Sequence, residues 1–476
     1  MKKTALALVV GLLTVGQAYA VTPRSGYDET YGTSWSIDSD GVLTVSGSMA
    51  SKYKKDKNEN INAPLPPWYN YNSDITSVVV SEGVTSIGDR AFRGLSNSTS
   101  VSLPSTLQTI GQTAFENNTS LQSVTIPSNV STISDWAFKG NTNLESVTFE
   151  SGVTTINKEA FYGATSLTSL TIANTVSTIG QSAFENATSI QKLTIPDSVT
   201  SMGEGAFKGL SSLTDLTIGS GLTKIAVHAF ENATSLETLV LPSTVKKIEE
   251  GAFSRAESLK NIDFGGVEEI GNKSFAYNFS LEKLVIPDTV TKIGDGTFVN
   301  ATSLKELVIG DGVTSIGKES FSINNQMHNT NYSSVLEKLT IGKNVTSIGD
   351  NCFKSAPLTE ITIDADGSEA NYKAIAAFLK NLSGDIKLNC LGGDTCSTKM
   401  AAAIESLGNL TNAQKNKIAA MLANGTNLPR SSQMADTGMG TSFDRSNETR
   451  SDKRIYTVSE ANAVAGKRNR VMVRYR

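Results

Sequence analysis

The sequence is poor in the residues from which catalytic and metal sites are usually built. Its 476 residues include only two histidines, His228 and His328, and three cysteines, and charged residues make up 18% of the chain. Neither histidine lies near a cysteine, and the sequence contains no nucleophile elbow, phosphate-binding glycine loop or EF-hand pattern. We therefore predict a protein without enzymatic activity, without a cofactor and without a metal site.

Long apolar runs are also missing, because no stretch of about twenty apolar residues that would span a membrane occurs. Residues 1–20 combine Lys2 and Lys3, a short apolar run and a terminal Ala18-Tyr19-Ala20, which is the pattern of a secretory signal peptide. The sequence thus predicts an exported protein with no transmembrane segment. The cell surface or the medium is its expected location, and the periplasm is the alternative.

Cysteine is scarce for an exported protein, in which disulfides are permitted. Cys390 and Cys396 enclose a short loop with two glycines. The sequence is equally compatible with a disulfide between them and with two free thiols. Cys352 takes a position that alanine occupies in the earlier repeats, which indicates a small buried residue.

The chain is rich in one thing, a repeat of 23 residues. The Ala-Phe pair first seen at Ala91-Phe92 occurs eight times at that interval, and the phenylalanines then continue with spacings of 22, 23, 23 and 32 residues. A fixed period of this length is typical of a solenoid, in which each coil stacks on the next. The phenylalanines of the column are Phe92, Phe115, Phe138, Phe161, Phe184, Phe207, Phe230, Phe253, Phe275, Phe298, Phe321 and Phe353.

The sequence of each coil predicts two short strands and a turn. In one coil Leu239 and Leu241 alternate with polar residues as in a half-buried strand, which Pro242 ends, and Ile248 belongs to a second strand. A small residue before each phenylalanine lets the ring lie inward and stack on its neighbours. Glycine follows the second strand in most coils, and we expect a positive φ there, at residues 88, 111, 180, 203, 271, 294, 317 and 349.

The predicted architecture is a β-rich solenoid of about twelve coils with stacked parallel strands and a cap at each end. The N-terminal cap contains a hairpin around Ser39-Asp40-Gly41, and the C-terminal cap contains helices at 369–382, 397–407 and 412–423 with a strand at 386–388. The expected boundaries are 1–20 for the signal, 26–74 for the N-terminal β cap, 75–363 for the solenoid, 364–424 for the helical C-terminal cap, 425–452 for a flexible linker and 453–476 for a basic tail.

Charge is distributed unevenly along the chain. Residues 430–476 carry ten basic and five acidic side chains, whereas residues 21–429 carry 30 basic and 41 acidic ones. Tethered positive charge binds diffuse anionic surfaces, so the tail is a candidate anchor to an anionic envelope component. Docking of the tail on the rest of the protein is the open alternative. The anchoring candidates are Lys453, Arg454, Lys467, Arg468, Arg470, Arg474 and Arg476.

The outward positions of the first strand of each coil form the candidate binding surface. They hold threonine, valine and mixed charges, and few aromatic residues are expected to point outward, which argues against stacking on sugars. Aligned coils join such positions into one continuous surface. The nine-residue insertion within 322–335 is the second candidate. The predicted binding residues are Lys192, Thr238, Lys283, Lys305 and Glu306.

The pattern Ser-Leu-x-x-Leu-x-Ile-Pro-x-x-Val-x-x-Ile-Gly-x-x-Ala-Phe closely resembles the BspA-like, Treponema-type, leucine-rich repeat family over residues 75–363. The segment from Trp35 to Gly47, with Pro67-Trp68, is similar to the region that often precedes such repeats. This resemblance implies a cell-surface protein that adheres to matrix proteins, cells or surfaces, without shared catalytic residues. Cysteine is often found a few residues after the phenylalanine in the family, and Ala187, Ala233 or Ala301 stands there in this chain.

From the residues and the resemblance we expect a non-enzymatic protein that binds a protein or a cell-surface macromolecule through its strand face, and not nucleic acid. An envelope structural protein held by its basic tail is the first alternative. An enzyme or an enzyme inhibitor is the second.

Overall fold

The computed structural model describes residues 21–55, 58, 63–324, 333–382, 384–392 and 395–428. The chain divides into two compact units, Met1–Leu358 and Thr359–Arg476. The first unit contains the repeat, and the second contains the three α-helices of the described residues.

The first unit is built almost entirely from short strands. Three antiparallel strands come first, and a 3₁₀ helix follows at Tyr69–Asp74: β1 (Arg24–Asp28), β2 (Thr33–Ile37) and β3 (Val42–Gly47). Every coil then contributes one longer strand, and these are β4 (Ser77–Val80), β6 (Ser100–Ser102), β8 (Ser123–Ile126), β10 (Ser146–Phe149), β12 (Ser169–Thr171), β14 (Lys192–Ile195), β16 (Asp215–Ile218), β18 (Thr238–Val240), β20 (Asn261–Asp263), β22 (Lys283–Ile286), β24 (Glu306–Ile309) and β26 (Lys338–Ile341).

Each coil also contributes a two-residue strand on a second side of the solenoid. These strands stack in parallel like the longer ones. Both sets are interrupted at the same level, after β15 in one and after β16 in the other, and the longer set is interrupted again after β20. They are β5 (Ser86–Ile87), β7 (Thr109–Ile110), β9 (Thr132–Ile133), β11 (Thr155–Ile156), β13 (Thr178–Ile179), β15 (Ser201–Met202), β17 (Lys224–Ile225), β19 (Lys247–Ile248), β21 (Glu269–Ile270), β23 (Lys292–Ile293), β25 (Ser315–Ile316) and β27 (Ser347–Ile348).

The alternation of apolar and polar residues sets the face that each strand buries. In β8, Val124 and Ile126 are buried while Ser123 and Thr125 are exposed. The pairing keeps equivalent residues opposite each other, so Thr148 of β10 lies beside Thr125. Pro127 follows β8, and its carbonyl accepts the Val130 amide at 3.0 Å in the turn to the next strand. The predicted parallel solenoid is therefore confirmed.

A continuous stack of aromatic rings runs through the core of the first unit. The twelve phenylalanines of the column stack with neighbouring centroids 5.1–5.5 Å apart and interplanar angles of at most 20°. Trp68 extends the stack beyond Phe92 at 5.2 Å, and its Nε1 donates to the Ala91 carbonyl at 3.1 Å. Tyr53, whose pKa burial raises to about 12, packs on Trp68 in turn. The N-terminal cap thus covers the first ring of the column, as predicted.

The small residue before each phenylalanine has a second role, which is to bring the backbones of adjacent coils together. The Phe161 amide donates to the Ala183 carbonyl at 2.8 Å, and the Phe298 amide donates to the Ser320 carbonyl at 2.7 Å. Cys352 continues this column as a buried free thiol, and burial raises its pKa. The small side chain leaves room for this ladder beside the ring stack.

The glycines after the second strand do not have the positive φ that the sequence suggested. In all twelve coils a left-handed residue instead lies two positions before the phenylalanine, for example Arg90 with φ 64° and Thr113 with φ 53°, and in most coils a second one lies two positions after it, such as Asn117 with φ 60°. The glycines are needed for close approach between coils. A Cβ on Gly111 would lie 2.5 Å from the Asp89 nitrogen, and one on Gly317 would lie 2.4 Å from the Gly294 carbonyl carbon.

The second unit combines three parallel strands and three helices. Its elements are β28 (Glu360–Asp364), α1 (Glu369–Leu379), β29 (Lys387–Leu391), α2 (Thr395–Ser406), α3 (Asn412–Ala423) and β30 (Asn427–Leu428). Ser368 caps α1 by accepting the Asn371 amide, and Thr411 and Gln414 form a capping box at the start of α3. The three predicted helices and the strand between them are present within a few residues of the predicted bounds.

Candidate functional site

The strand face of the first unit brings the predicted binding residues onto one surface. Lys192, Thr238, Lys283 and Glu306 are the first residues of β14, β18, β22 and β24, and Lys305 directly precedes β24. The side chains of the four strand residues point away from the buried leucines that follow them, such as Leu193 and Leu284. The Lys192 side chain is 81% exposed and that of Lys305 is 60% exposed.

The charges on this surface pair between adjacent coils. Lys283 Nζ lies 2.9 Å from Glu306 Oε1, and Lys305 Nζ lies 3.1 Å from Glu282 Oε2. Lys192 Nζ approaches Asp215 Oδ2 at 3.7 Å. Such exposed pairs add little stability. They show that residues of opposite sign lie beside each other on adjacent coils.

We call the outward positions of the longer strands from β14 to β26, with the Glu282 and Lys305 side chains that directly precede two of them, the charged face. Six of the fourteen strand positions carry a charge, and polar or valine side chains fill the rest. The positions are Lys192, Thr194, Asp215, Thr217, Thr238, Val240, Asn261, Asp263, Lys283, Val285, Glu306, Val308, Lys338 and Thr340.

The outward positions of β1, β2 and β3 and of the longer strands from β4 to β12 differ from the charged face in composition, and we call them the hydroxyl face. None of the seventeen is charged, and fourteen are serine or threonine. The repeat pattern does not reveal this neutrality, because β1, β2 and β3 lie outside the repeat and join the face only through strand pairing. The positions are Ser25, Tyr27, Ser34, Ser36, Val42, Thr44, Ser46, Ser77, Val79, Ser100, Ser102, Ser123, Thr125, Ser146, Thr148, Ser169 and Thr171.

A shallow groove lies at the N-terminal end of the hydroxyl face. Tyr27 is 63% exposed there, and Tyr31 in the turn after β1 is 37% exposed. The expectation of few outward aromatic residues concerned the repeat, and these two tyrosines lie outside it, in the cap. The residues lining the groove are Ser25, Gly26, Tyr27, Ser34, Trp35, Ser36, Thr44 and Ser46.

The two cysteines of the second unit lie side by side as buried thiols that are not joined by a disulfide. Cys390 is in β29 and Cys396 is in the first turn of α2, where its Sγ accepts a hydrogen bond from the Tyr372 hydroxyl at 3.3 Å. A hydrogen bond from Cys390 lowers the pKa of Cys396. The structure does not contain the bridge, and its formation on oxidation stays a prediction.

Neither histidine is part of a described catalytic group. His228 lies at a coil corner with φ 53°, and its Nδ1 is 3.0 Å from Glu231 Oε2. His328 and most of the insertion in 322–335 lie outside the described residues, as do the signal at 1–20 and the seven basic residues of the tail. Within the part of the chain that is described, no three potential metal ligands come together, and no helix is long and apolar enough to cross a membrane.

Solved structures similar to this chain are bacterial leucine-rich repeat proteins. One from Bacteroides ovatus is 17% identical and covers 77% of this chain and 98% of its own, with a TM-score of 0.40. One from Eubacterium ventriosum is 22% identical with coverages of 73% and 88% and a TM-score of 0.40. A leucine rich cell surface protein from Faecalibacterium prausnitzii is 21% identical with coverages of 75% and 98% and a TM-score of 0.34.

No curated protein shows significant sequence similarity to the chain. The family of the BspA type leucine rich repeat region, described as six copies, matches residues 68–190, 177–284, 223–334 and 268–383. These overlapping matches take in the ring stack, both strand columns and the first helix of the second unit. The chain therefore belongs to the family of BspA-type leucine-rich repeat proteins.

Proposed function

We propose that the protein is an exported, non-enzymatic adhesion protein that binds a protein or another cell-surface macromolecule through its charged face. The observation that carries this proposal is the set of ion pairs that join adjacent coils along this surface. Each pair joins adjacent coils whose strands are paired, so the backbone positions of the opposite charges are set before a partner arrives. Preorganised rows of alternating charge favour specificity and fast association with a complementary surface.

The test is a charge swap that keeps each ion pair and reverses the pattern that a partner meets. The variant combines Lys283→Glu with Glu306→Lys and Lys305→Glu with Glu282→Lys. Lys246 and Glu268 form a matched control pair, because their Nζ and Oε1 atoms are 3.3 Å apart and both side chains are 54% exposed on the second side of the solenoid. The purified full chain is measured for binding to surfaces coated with extracellular-matrix proteins and to intact cells.

We expect the double swap to reduce binding at least tenfold with an unchanged melting temperature, and the control swap of Lys246 and Glu268 to leave binding intact. If the double swap binds as well as the wild-type chain does, the charged face is not the binding surface, and the 322–335 insertion becomes the next candidate. Thr238 and Lys192 extend the same surface, and their substitution is expected to weaken binding less, because Thr238 carries no charge and the Lys192–Asp215 pair, at 3.7 Å, is the longest of the three.

The second candidate function is an envelope structural protein held by its basic tail. It is supported by the charge of residues 453–476, in which seven basic side chains accompany one acidic side chain, Glu460. Deletion of 453–476 should then release the protein from cells with unchanged thermal stability. Protease treatment of intact cells separates the two candidates, since a surface adhesin is cleaved and a periplasmic protein is protected.

A further inference from the structure

The groove at the N-terminal end of the hydroxyl face has features that the charged face lacks. Tyr27, Tyr31 and Val240 are the large apolar side chains that are most exposed in the described residues, and both tyrosines belong to the cap. Tyr27 lies at an outward position of β1, with Ser34 opposite it on β2 and Ser46 opposite Ser34 on β3. One aromatic ring is thus held beside a row of hydroxyl groups.

The strand that carries Tyr27 is supported from its other side. Gly26 has no side chain, and the Trp35 indole fills the space, since a Cβ on Gly26 would lie 2.6 Å from Trp35 Nε1. The Trp35 ring packs against Tyr71 at 5.7 Å, and the Arg24 guanidinium lies 4.5 Å above the Tyr71 ring. This inner aromatic layer fixes β1, so the outer groove is a preformed surface.

The hydroxyl groups that line the groove are available to a ligand. In other columns of the repeat the hydroxyls bond to the coil before, as Thr154 Oγ1 does to the Ser131 carbonyl at 3.1 Å and Thr214 Oγ1 to the Gln191 carbonyl at 3.2 Å. Within the described residues, no side-chain hydrogen bond to protein is made by the hydroxyls of Ser25, Ser34, Ser36, Thr44 or Ser46. Each hydroxyl offers one donor and two acceptor sites.

The chemistry of the groove selects its ligand. The absence of charge at the seventeen outward positions of β1–β12 gives a charged partner no ion to pair with. A ring for stacking and several hydroxyls for hydrogen bonding suit a molecule with one apolar face and a hydroxylated rim. Pyranose sugars have this construction, because their C–H groups cluster on one face and their hydroxyl groups project from the edge.

We propose that this groove is a binding site for a neutral saccharide chain, with one pyranose ring stacked on Tyr27 and its hydroxyls bonded to serines of β1, β2 and β3. Neighbouring strands about 4.8 Å apart repeat the hydroxyl row along the solenoid, so a longer chain extends from the groove across β4 and β6. The site is separate from the charged face and does not depend on the proposed function.

The experiment measures binding of neutral oligosaccharides of four to six hexose or N-acetylhexosamine units to the full chain by titration calorimetry and saturation-transfer NMR. Tyr27→Ala should weaken binding about tenfold, and Tyr27→Phe should retain it because the ring face is kept. Ser34→Ala with Ser36→Ala should weaken it several-fold. Val240→Ala, at an outward position that is 52% exposed, is the matched control and should have no effect.

Salt separates this site from the charged face. Saccharide affinity should be the same at low and high ionic strength and in the charge-swap variant, because no ion pair takes part. Failure of every neutral saccharide to bind the folded wild-type chain would overturn the proposal. Binding that survives Tyr27→Ala, or that is lost in the charge-swap variant, would also overturn it.

Discussion

The two parts of the strand face share one core and differ in what they present to solvent. From β4 onward, leucine, valine, isoleucine or phenylalanine fills the inward strand positions beneath both parts, and the phenylalanine stack continues with nearly the same spacing, 5.3 Å between Phe161 and Phe184 and 5.2 Å between Phe275 and Phe298. Above it, β1–β12 carry neutral hydroxyls and β14–β26 carry paired charges. The inward residues are constrained by packing against two neighbouring coils, whereas the outward residues are free to vary. A solenoid can therefore divide one continuous surface into separate binding regions without changing its fold.

The largest expected effect tests whether the core is the same under both faces. Phe184 lies in the last coil of the hydroxyl face and Phe298 in a coil of the charged face, and both are fully buried. Phe184→Ala and Phe298→Ala should each lower the free energy of unfolding by about 3–5 kcal/mol, because each leaves a cavity between two rings. Denaturation by urea measures both. A loss in one variant and none in the other would mean that the two parts differ in their cores as well.

An intermediate effect concerns the second unit, which has neither face. Oxidation of Cys390 and Cys396 by a disulfide reagent should reduce the count of free thiols from three to one and stabilise that unit by about 2 kcal/mol, since the closed loop is short. The Cys352→Ser variant is the control, because Cys352 lies in the first unit and has no cysteine beside it in the described residues. Peptide mapping without reductant identifies the bridge. Three reactive thiols in the unfolded, oxidant-treated protein would contradict the prediction.

The smallest effect compares two exposed carboxylates, Glu82 in the turn after β4 of the hydroxyl face and Asp197 in the turn after β14 of the charged face. Each accepts hydrogen bonds from a serine of the next coil. Glu82 accepts the Ser105 amide at 3.0 Å and its hydroxyl at 3.1 Å, and Asp197 accepts the Ser220 amide and hydroxyl at 2.6 and 3.0 Å. These hydrogen bonds lower both carboxyl pKa values from the ordinary 4.5 and 3.8. Their stabilisation is present above the ordinary pKa and is lost as the pH falls through the lowered pKa.

Carboxyl carbon shifts measured by NMR between pH 6 and pH 2 report both titrations directly. We expect Glu82 and Asp197 each to titrate below its ordinary pKa, and Ser105→Ala and Ser220→Ala to bring the corresponding carboxyl back toward it. A wild-type titration at or above the ordinary values would show that these bonds between coils do not persist in solution.

Much of the fold follows from local sequence. The 23-residue period predicted the coil, its two strands and the stacked column, because every coil repeats the same packing problem. The helix at Glu369–Leu379 was predicted from its apolar face and the hairpin before Val42 from its turn residues. Strand β1 was not predicted, because its inward positions Arg24, Gly26 and Asp28 are not apolar and its sequence therefore lacks the alternation of a half-buried strand. It is held by the Trp35 indole, a contact that no local pattern contains.

The sequence by itself determined the repeat, the buried column and the family, because periodic apolar residues can be buried in only one way when coils stack. The tertiary structure decided the roles that depend on neighbouring coils. It showed that the glycines after the second strand serve close backbone contact, and that the left-handed turn falls two residues before each phenylalanine. It also placed Tyr27 beside serines from three strands and paired Lys283 with Glu306. These relations join residues far apart along the chain, and only the stacking of one backbone on the next brings them within contact distance.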